Sequence, residues 1–118
     1  MQTWMLPEIQ TPGGSRSPVV LMSEDEARAV LLGLDAGQAL GEHQVKEHAW
    51  LFVVEGTARI RAGGEEIEAP PGTLTHFEPD ERHAVSSESG AKLLLLLAPW
   101  PGAGHYRGSA SSQERASS

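Results

Sequence analysis

The stretch GQALGEHQVKEHAWLFVVEG, residues 37–56, decides how the rest of the chain is interpreted. Residues 49–54 within it are rich in aromatic and β-branched side chains, which favour a β-strand, and Glu55-Gly56 ends that strand with a turn. Both faces of the strand's alternation are apolar, so a second sheet layer or a partner subunit has to cover the outer face. The stretch therefore predicts a layered β-protein and a homodimer, for which twofold symmetry is the commonest arrangement.

Short apolar segments separated by turn residues continue on both sides of this strand. Residues 27–34 are ambiguous, because Ser23-Glu24-Asp25-Glu26 resembles a helical capping box while Asp35-Ala36-Gly37 ends the segment early; we interpret the segment as a strand. Gly63-Gly64 is typical of a two-residue hairpin turn. The other predicted strands cover residues 19–22, 58–61, 65–68, 74–77, 83–86 and 92–98. Many short strands with Gly and Pro turns predict an all-β sandwich or small barrel.

The two ends of the chain differ from this β-rich part, residues 18–107. Residues 1–17 are rich in turn-forming residues and predict an extended arm. Four apolar side chains in this arm are costly to leave in water, so part of it should dock on the barrel or a partner; these are Trp4, Met5, Leu6 and Ile9. Residues 108–118 are Ser-rich without a large apolar residue, which predicts a disordered tail.

Composition narrows the classes of function. The 118 residues fit one domain, and the absence of cysteine excludes disulfides and thiolate metal ligands. Acidic residues outnumber basic ones by 16 to 9, and no cluster of Lys and Arg is present, so we expect no nucleic-acid or membrane binding. No apolar run approaches the roughly 20 residues that span a bilayer. Residues 1–10 do not resemble a signal peptide, so a cytoplasmic protein is expected.

The quoted stretch resembles the first sequence motif of the cupin family. That motif runs Gly, five residues, His-x-His, three or four residues, Glu, six residues, Gly. Gly37 and Gly56 stand at its two ends, and His43 stands at its first His. Val45 and Ala49 occupy the positions of the second His and the Glu.

Residues 72–87 resemble the second cupin motif, which runs Gly, five residues, Pro-x-Gly, two residues, His, three residues, Asn. Gly72 opens it and His83 stands at its His. Glu78, Asp80 and Ser87 replace the Pro, the Gly and the Asn. The resemblance implies a small jelly-roll β-barrel, a double-stranded β-helix that is usually dimeric and often holds a metal in its mouth through three His and one Glu.

A divalent metal such as Zn, Fe, Mn or Ni would need ligands other than Val45 and Ala49 here. Regular alternation places Glu47 on the same face as His43, so His43, Glu47 and His83 could form a two-His-one-carboxylate set. His76 would join them if Leu74 packs inside the barrel. His48 would face outward unless a bulge turned it in, and it joins Val45 and Ala49 as a candidate pocket-lining residue. Alternatively, His43 and His83 could be the remnants of a lost metal site that hydrogen-bond to each other or to a ligand. Glu47 could be a solvated carboxylate, and His76 could be a hydrogen-bonded core residue.

The segment Pro99-Trp100-Pro101-Gly102, followed by His105-Tyr106, also admits two interpretations. It could be a lid that brings Trp100 or His105 to the pocket. The favoured alternative is an apolar plug, because burial of a Trp side chain contributes strongly to local stability.

Three functions remain open from the sequence. The first is a metalloenzyme that acts on a small oxygen-bearing or anionic molecule. The second is a barrel that binds a small molecule without metal or catalysis, consistent with the apolar Val45 and Ala49. The third is a metal-free acid–base enzyme with a His base and a Tyr acid, for which Tyr106 is the only tyrosine.

Overall fold

The structure is a computed structural model that describes residues 1–11, 18–24 and 26–101, without the side chains of Glu24 and His43. A single 3-10 turn at Leu6–Glu8 precedes the strands. The strands of the described residues are β1 (Val19–Glu24), β2 (Ala27–Leu34), β3 (Ala39–His43), β4 (His48–Gly56), β5 (Ala58–Ala62), β6 (Glu65–Ala69), β7 (Leu74–Phe77), β8 (His83–Ser86) and β9 (Ala91–Ala98). No helix in this part of the chain is long and apolar enough to cross a membrane.

The strands form two antiparallel sheets that share one core. One sheet has the order β1-β2-β9-β4-β7 and the other has the order β3-β8-β5-β6. The core combines residues of both sheets, including Leu51 and Leu93 from the first and Ile60 and Val85 from the second. This architecture confirms the expected all-β jelly-roll fold.

The strand β4 shows why the first sheet is apolar on both sides. Ala49, Leu51 and Val53 are buried in the core, while Trp50 and Phe52 alternate with them on the outer face and are half-buried. The leucine-rich β9 lies between β2 and β4 and pairs with both, so its run of leucines occupies the centre of the sheet. The ambiguous segment, residues 27–34, is a strand as expected, since its pairing with β9 buries most of it.

The sequence does not predict the strand β3. Its sequence, Ala-Leu-Gly-Glu-His, contains no β-branched or aromatic residue, so local propensity does not favour a strand. It forms because it pairs with β8, with an irregularity in register between Leu40 and His43. Tertiary pairing therefore overrides local preference at this position.

Position 56, which closes the first motif, requires a glycine because of its backbone conformation and because no room exists for a side chain. Its φ is 75°, in the left-handed region. A Cβ atom here would collide with the backbone oxygen of Gly90 and lie 2.8 Å from the Cα of Ala91. The end of β4 therefore packs directly against the backbone that leads into β9.

Ser87, at the position of the second motif's Asn, has a structural role. Its buried hydroxyl donates to the carbonyl of Thr57 at 2.6 Å and accepts from the backbone N–H of Gly90 at 2.9 Å. Its own backbone pairs with Gly37 and Gln38. One small side chain thus holds the turns after β4 and β8 together.

Part of the N-terminal arm docks on the barrel through backbone atoms. The ammonium group of Lys92, in β9, donates to the carbonyl of Ile9 at 2.7 Å and to that of Pro7 at 3.0 Å. The 3-10 turn also contacts β4. Residues 12–17 of the predicted arm lie outside the described residues.

Trp100 is buried in the core, which agrees with the plug interpretation of the segment after β9. The guanidinium carbon of Arg28 lies 4.7 Å from the centre of its ring, within cation–π range. His105, Tyr106 and the predicted tail of residues 108–118 lie outside the described residues.

Candidate functional site

His83 is a buried imidazole at one end of the barrel. It begins β8, is 4% exposed, and stacks on Phe77 with ring centroids 3.9 Å apart and planes 5° apart. Its Nδ1 lies 3.0 Å from the carbonyl oxygen of Glu81. A carbonyl can only accept, so Nδ1 carries the proton, and Nε2 is the nitrogen that could ligate a metal. A hydrogen bond of this kind is typical of metal-binding histidines, because it fixes the tautomer and the ring orientation.

Glu47, just before β4, is a second buried ionisable residue. Buried and half-buried residues alternate through β4, and Glu47, just before the strand, continues the buried series at 0% exposure. The inward direction expected from alternation is therefore what the structure shows. A buried carboxylate is costly unless it is paired or bound to a metal, so its presence among apolar residues marks a specialised environment.

The other positions of the first motif are apolar or only partly described. Ala49 belongs to the core and Val45 packs against it, so neither offers a ligand. The backbone of His43 is paired directly with that of His83 in the β3–β8 ladder. The side chain of His43 lies outside the described residues, and its role as a ligand stays a prediction.

The loop between β7 and β8 joins this site to the start of β4. Asp80 stands where the motif has Gly, and it adopts the left-handed conformation with a φ of 66°. Its N–H donates to the carbonyl of Val45 at 2.7 Å, and its carboxylate lies 3.0 Å from the ammonium of Lys46. Asp tolerates this conformation better than most residues with a Cβ. The loop thus keeps the geometry that glycine normally provides.

His76 lies on the outer face of the first sheet, away from His83. The condition for an inward His76 was an inward Leu74, but Leu74 is 61% exposed. Because β7 pairs Trp50 with His76, these two side chains share the outer face. The expected grouping of His76 with the interior histidines is wrong, because the alternation of β7 directs Thr75 and Phe77 inward instead.

The structure instead brings His76 together with His48 and Glu78. Each of the three offers one ligand atom, and these atoms lie within 4.8 Å of one another. Nδ1 of His48 and Nε2 of His76 are hydrogen-bonded at 2.9 Å. Oε1 of Glu78 lies 3.9 Å from Nδ1 of His48, and Oε2 lies 3.9 Å from Nδ1 of His76. His48 faces outward, as a regular strand predicts.

The sequence indicates each half of this grouping but not the contact between the halves. His48 and Trp50 are two residues apart in one strand, and His76 and Glu78 are two residues apart at the end of another. Alternation places each pair on one face. Only the pairing of the two strands, which the sequence does not state, was missing.

Comparison with known proteins establishes the family. Residues 30–99 match the family model described as "Cupin domain", which is more than half of the chain. The chain therefore belongs to the cupin family. No curated protein matches the chain significantly.

Solved structures share the fold. An RmlC-like cupin protein from Desulfovibrio desulfuricans superposes with a TM-score of 0.74 at 22% identity, covering 84% of this chain and 97% of that one. A cupin superfamily protein from Desulfitobacterium hafniense gives 0.73 at 16% identity, covering 80% and 87%. The protein TT1209 from Thermus thermophilus gives 0.64 at 27% identity, covering 70% and 82%.

The residues of this chain fit a reduced metal site better than the full family set. The four-ligand arrangement does not fit, because Val45 and Ala49 lack donor atoms. The described interior supplies one oriented imidazole, His83, and one carboxylate, Glu47. Both are donor types that Zn, Fe, Mn and Ni accept.

Proposed function

We propose that the barrel end around His83 and Glu47 is a divalent-metal centre that binds a small oxygen-bearing molecule. The observation that carries this proposal is the fixed orientation of a buried imidazole, held by Phe77 and the Glu81 carbonyl. His43, paired with His83 through the backbone, would complete a two-His-one-carboxylate set.

In this proposal each residue has a stated role. His83 presents Nε2, Glu47 supplies negative charge, and the apolar neighbours Ala49 and Phe77 limit access of water. A bound divalent metal would supply Lewis acidity toward an oxygen of the ligand. Whether the bound molecule is also converted depends on its chemistry, so the proposal covers binding first.

A metal-free binding barrel is the second candidate. It is favoured by Ala49 and Val45, which place apolar surface at two positions where the family has ligands. In such a barrel His83 and Glu47 would bind polar groups of an otherwise apolar molecule directly.

The metal content of the untagged protein, purified without chelator, separates the two candidates. Elemental analysis should show a metal content in the wild type that falls by one equivalent per chain on combined His43→Ala and His83→Ala substitution and by less in Glu47→Gln. Glu65→Gln, an exposed carboxylate at the start of β6, is the control. If the interior substitutions do not change the metal content, even after incubation with Fe, Mn, Zn and Ni, the metal-free barrel is the better account.

We also propose that two copies associate through the outer face of the five-stranded sheet. Leu74 and Leu96 are exposed there, beside the half-buried Trp50 and Phe52. Burying such a surface in a symmetric pair would remove apolar area from water.

A further inference from the structure

The outer face of the first sheet carries a compact group of polar residues on two paired strands. Trp50 and His76 are direct partners in the β4–β7 ladder, and His48 and Glu78 are the next residues on the same face toward the end of the strands. The four side chains thus form a two-by-two arrangement at the sheet edge, where β7 is the last strand.

We propose that His48, His76 and Glu78 form a second transition-metal site, separate from the barrel interior. The two imidazoles already approach to 2.9 Å through Nδ1 of His48 and Nε2 of His76. Around a zinc ion with bonds of about 2.0–2.2 Å, two adjacent ligand atoms lie slightly farther apart than these two nitrogens do. A small increase in the distance between the two rings would therefore make room for the ion. The carboxylate of Glu78 lies 3.9 Å from Nδ1 of His48 and 3.9 Å from Nδ1 of His76, so a rotation of this exposed side chain brings an oxygen toward the ion.

The donor set indicates which metals this site takes. Two imidazoles and one carboxylate suit Zn²⁺, Ni²⁺ and Cu²⁺. The three side chains range from 35% to 69% exposed in the single chain, so an ion reaches them from solvent in a protomer whose outer sheet face is uncovered. Three protein ligands leave a coordination position for water or an added anion.

Ring contacts hold both histidines in place. The His48 and His76 rings stack with centroids 5.1 Å apart, and the Trp50 ring lies 5.1 Å from His76 and 5.9 Å from His48. The ligands are therefore partly preorganised, which reduces the entropy lost on binding. The nearby indole also makes Trp50 a fluorescent reporter of metal binding.

The test is a titration of chelator-treated, untagged protein with Zn²⁺ by calorimetry and with Cu²⁺ by tryptophan fluorescence. The chain has no cysteine to compete for either ion. His48→Ala, His76→Ala and Glu78→Gln are compared with His83→Gln, which alters the interior site and leaves the outer one intact. Loss of a ligand should weaken Zn²⁺ binding at the outer site at least about tenfold.

The expected result is one Zn²⁺ per chain that remains in His83→Gln and is lost when His48→Ala or His76→Ala is added to that variant. Cu²⁺ should quench fluorescence in the wild type and much less in Trp50→Phe, which keeps its Zn²⁺. Unchanged Zn²⁺ affinity in His76→Ala, or quenching that persists in Trp50→Phe, would overturn the outer site. This outer-site proposal does not depend on the proposed function. His83→Gln changes the interior site alone, so Zn²⁺ binding at the outer site can be measured whether or not the interior binds a metal.

Discussion

The imidazole of His83 lies flat on the ring of Phe77, with 3.9 Å between centroids. Phe77 is itself part of the core, so the orientation of a candidate functional group depends on core packing. Residue 77 therefore has to be aromatic as well as apolar if the His83 ring is to stay stacked.

Phe77→Leu should disturb His83 as well as stability. Leu keeps the site apolar but removes the stacked ring, so we expect a lower melting temperature and a shifted, broadened His83 ring signal in NMR spectra. Phe52→Leu, the same change at a half-buried position on the outer face, is the matched control. An unaltered His83 signal in Phe77→Leu would mean that stacking does not fix the imidazole.

Gly56→Ala should be much more destabilising than Gly63→Ala. Both glycines have positive φ, 75° and 59°, so each alanine adds roughly 1–2 kcal/mol of backbone strain. Only at Gly56 does the new Cβ meet backbone, at Gly90 and Ala91, whereas nothing lies within 4 Å at Gly63. The clash should add about 1–3 kcal/mol, as measured by urea unfolding. Equal losses at the two sites would refute the packing argument.

Ser87→Ala should lower the free energy of unfolding by about 1–3 kcal/mol, because it removes the buried hydroxyl shared by Thr57 and Gly90. Ser89→Ala, at an exposed position in the same turn, should change it by less than about 0.5 kcal/mol. Chemical denaturation of both variants checks this. A Ser87→Ala protein as stable as the wild type would show that the turns are held by other contacts.

Leu96→Glu should reduce self-association if the outer face of the five-stranded sheet is the dimer surface. Leu96 is 40% exposed there, and a buried charge in the interface would be unpaired. Ile67→Glu, at a similarly exposed apolar residue on edge strand β6, serves as control. Light scattering after size-exclusion chromatography gives the mass. A Leu96→Glu protein with the same mass as the wild type would count against this surface.

Much of the fold could be predicted from the sequence, because strands such as β4 carry strong local signals and the two motifs resemble those of a jelly-roll family. The strand β3 could not be, because Ala39–His43 acquires its conformation only by pairing with β8. The same limit applies to Asp80, whose left-handed backbone depends on the carbonyl of Val45.

The candidate site was predicted less completely than the fold. The inward direction of Glu47 follows from the alternation of side chains along a single strand, which requires no knowledge of how strands pair. His76 was misplaced because its face depended on Leu74, an apolar residue that the structure leaves exposed. The approach of His48 to His76 depends on the β4–β7 register, which one sequence does not contain.

Lys92 contacts the N-terminal arm through the carbonyls of Pro7 and Ile9 rather than through their side chains. Every amino acid carries that carbonyl, so this contact fixes the path of the arm without itself requiring particular side chains at those two positions. This contact therefore restricts position 92 of β9, where a long cationic side chain is needed, more than it restricts positions 7 and 9 of the arm. Among relatives that keep this arm, the lysine should change less than the residues it holds.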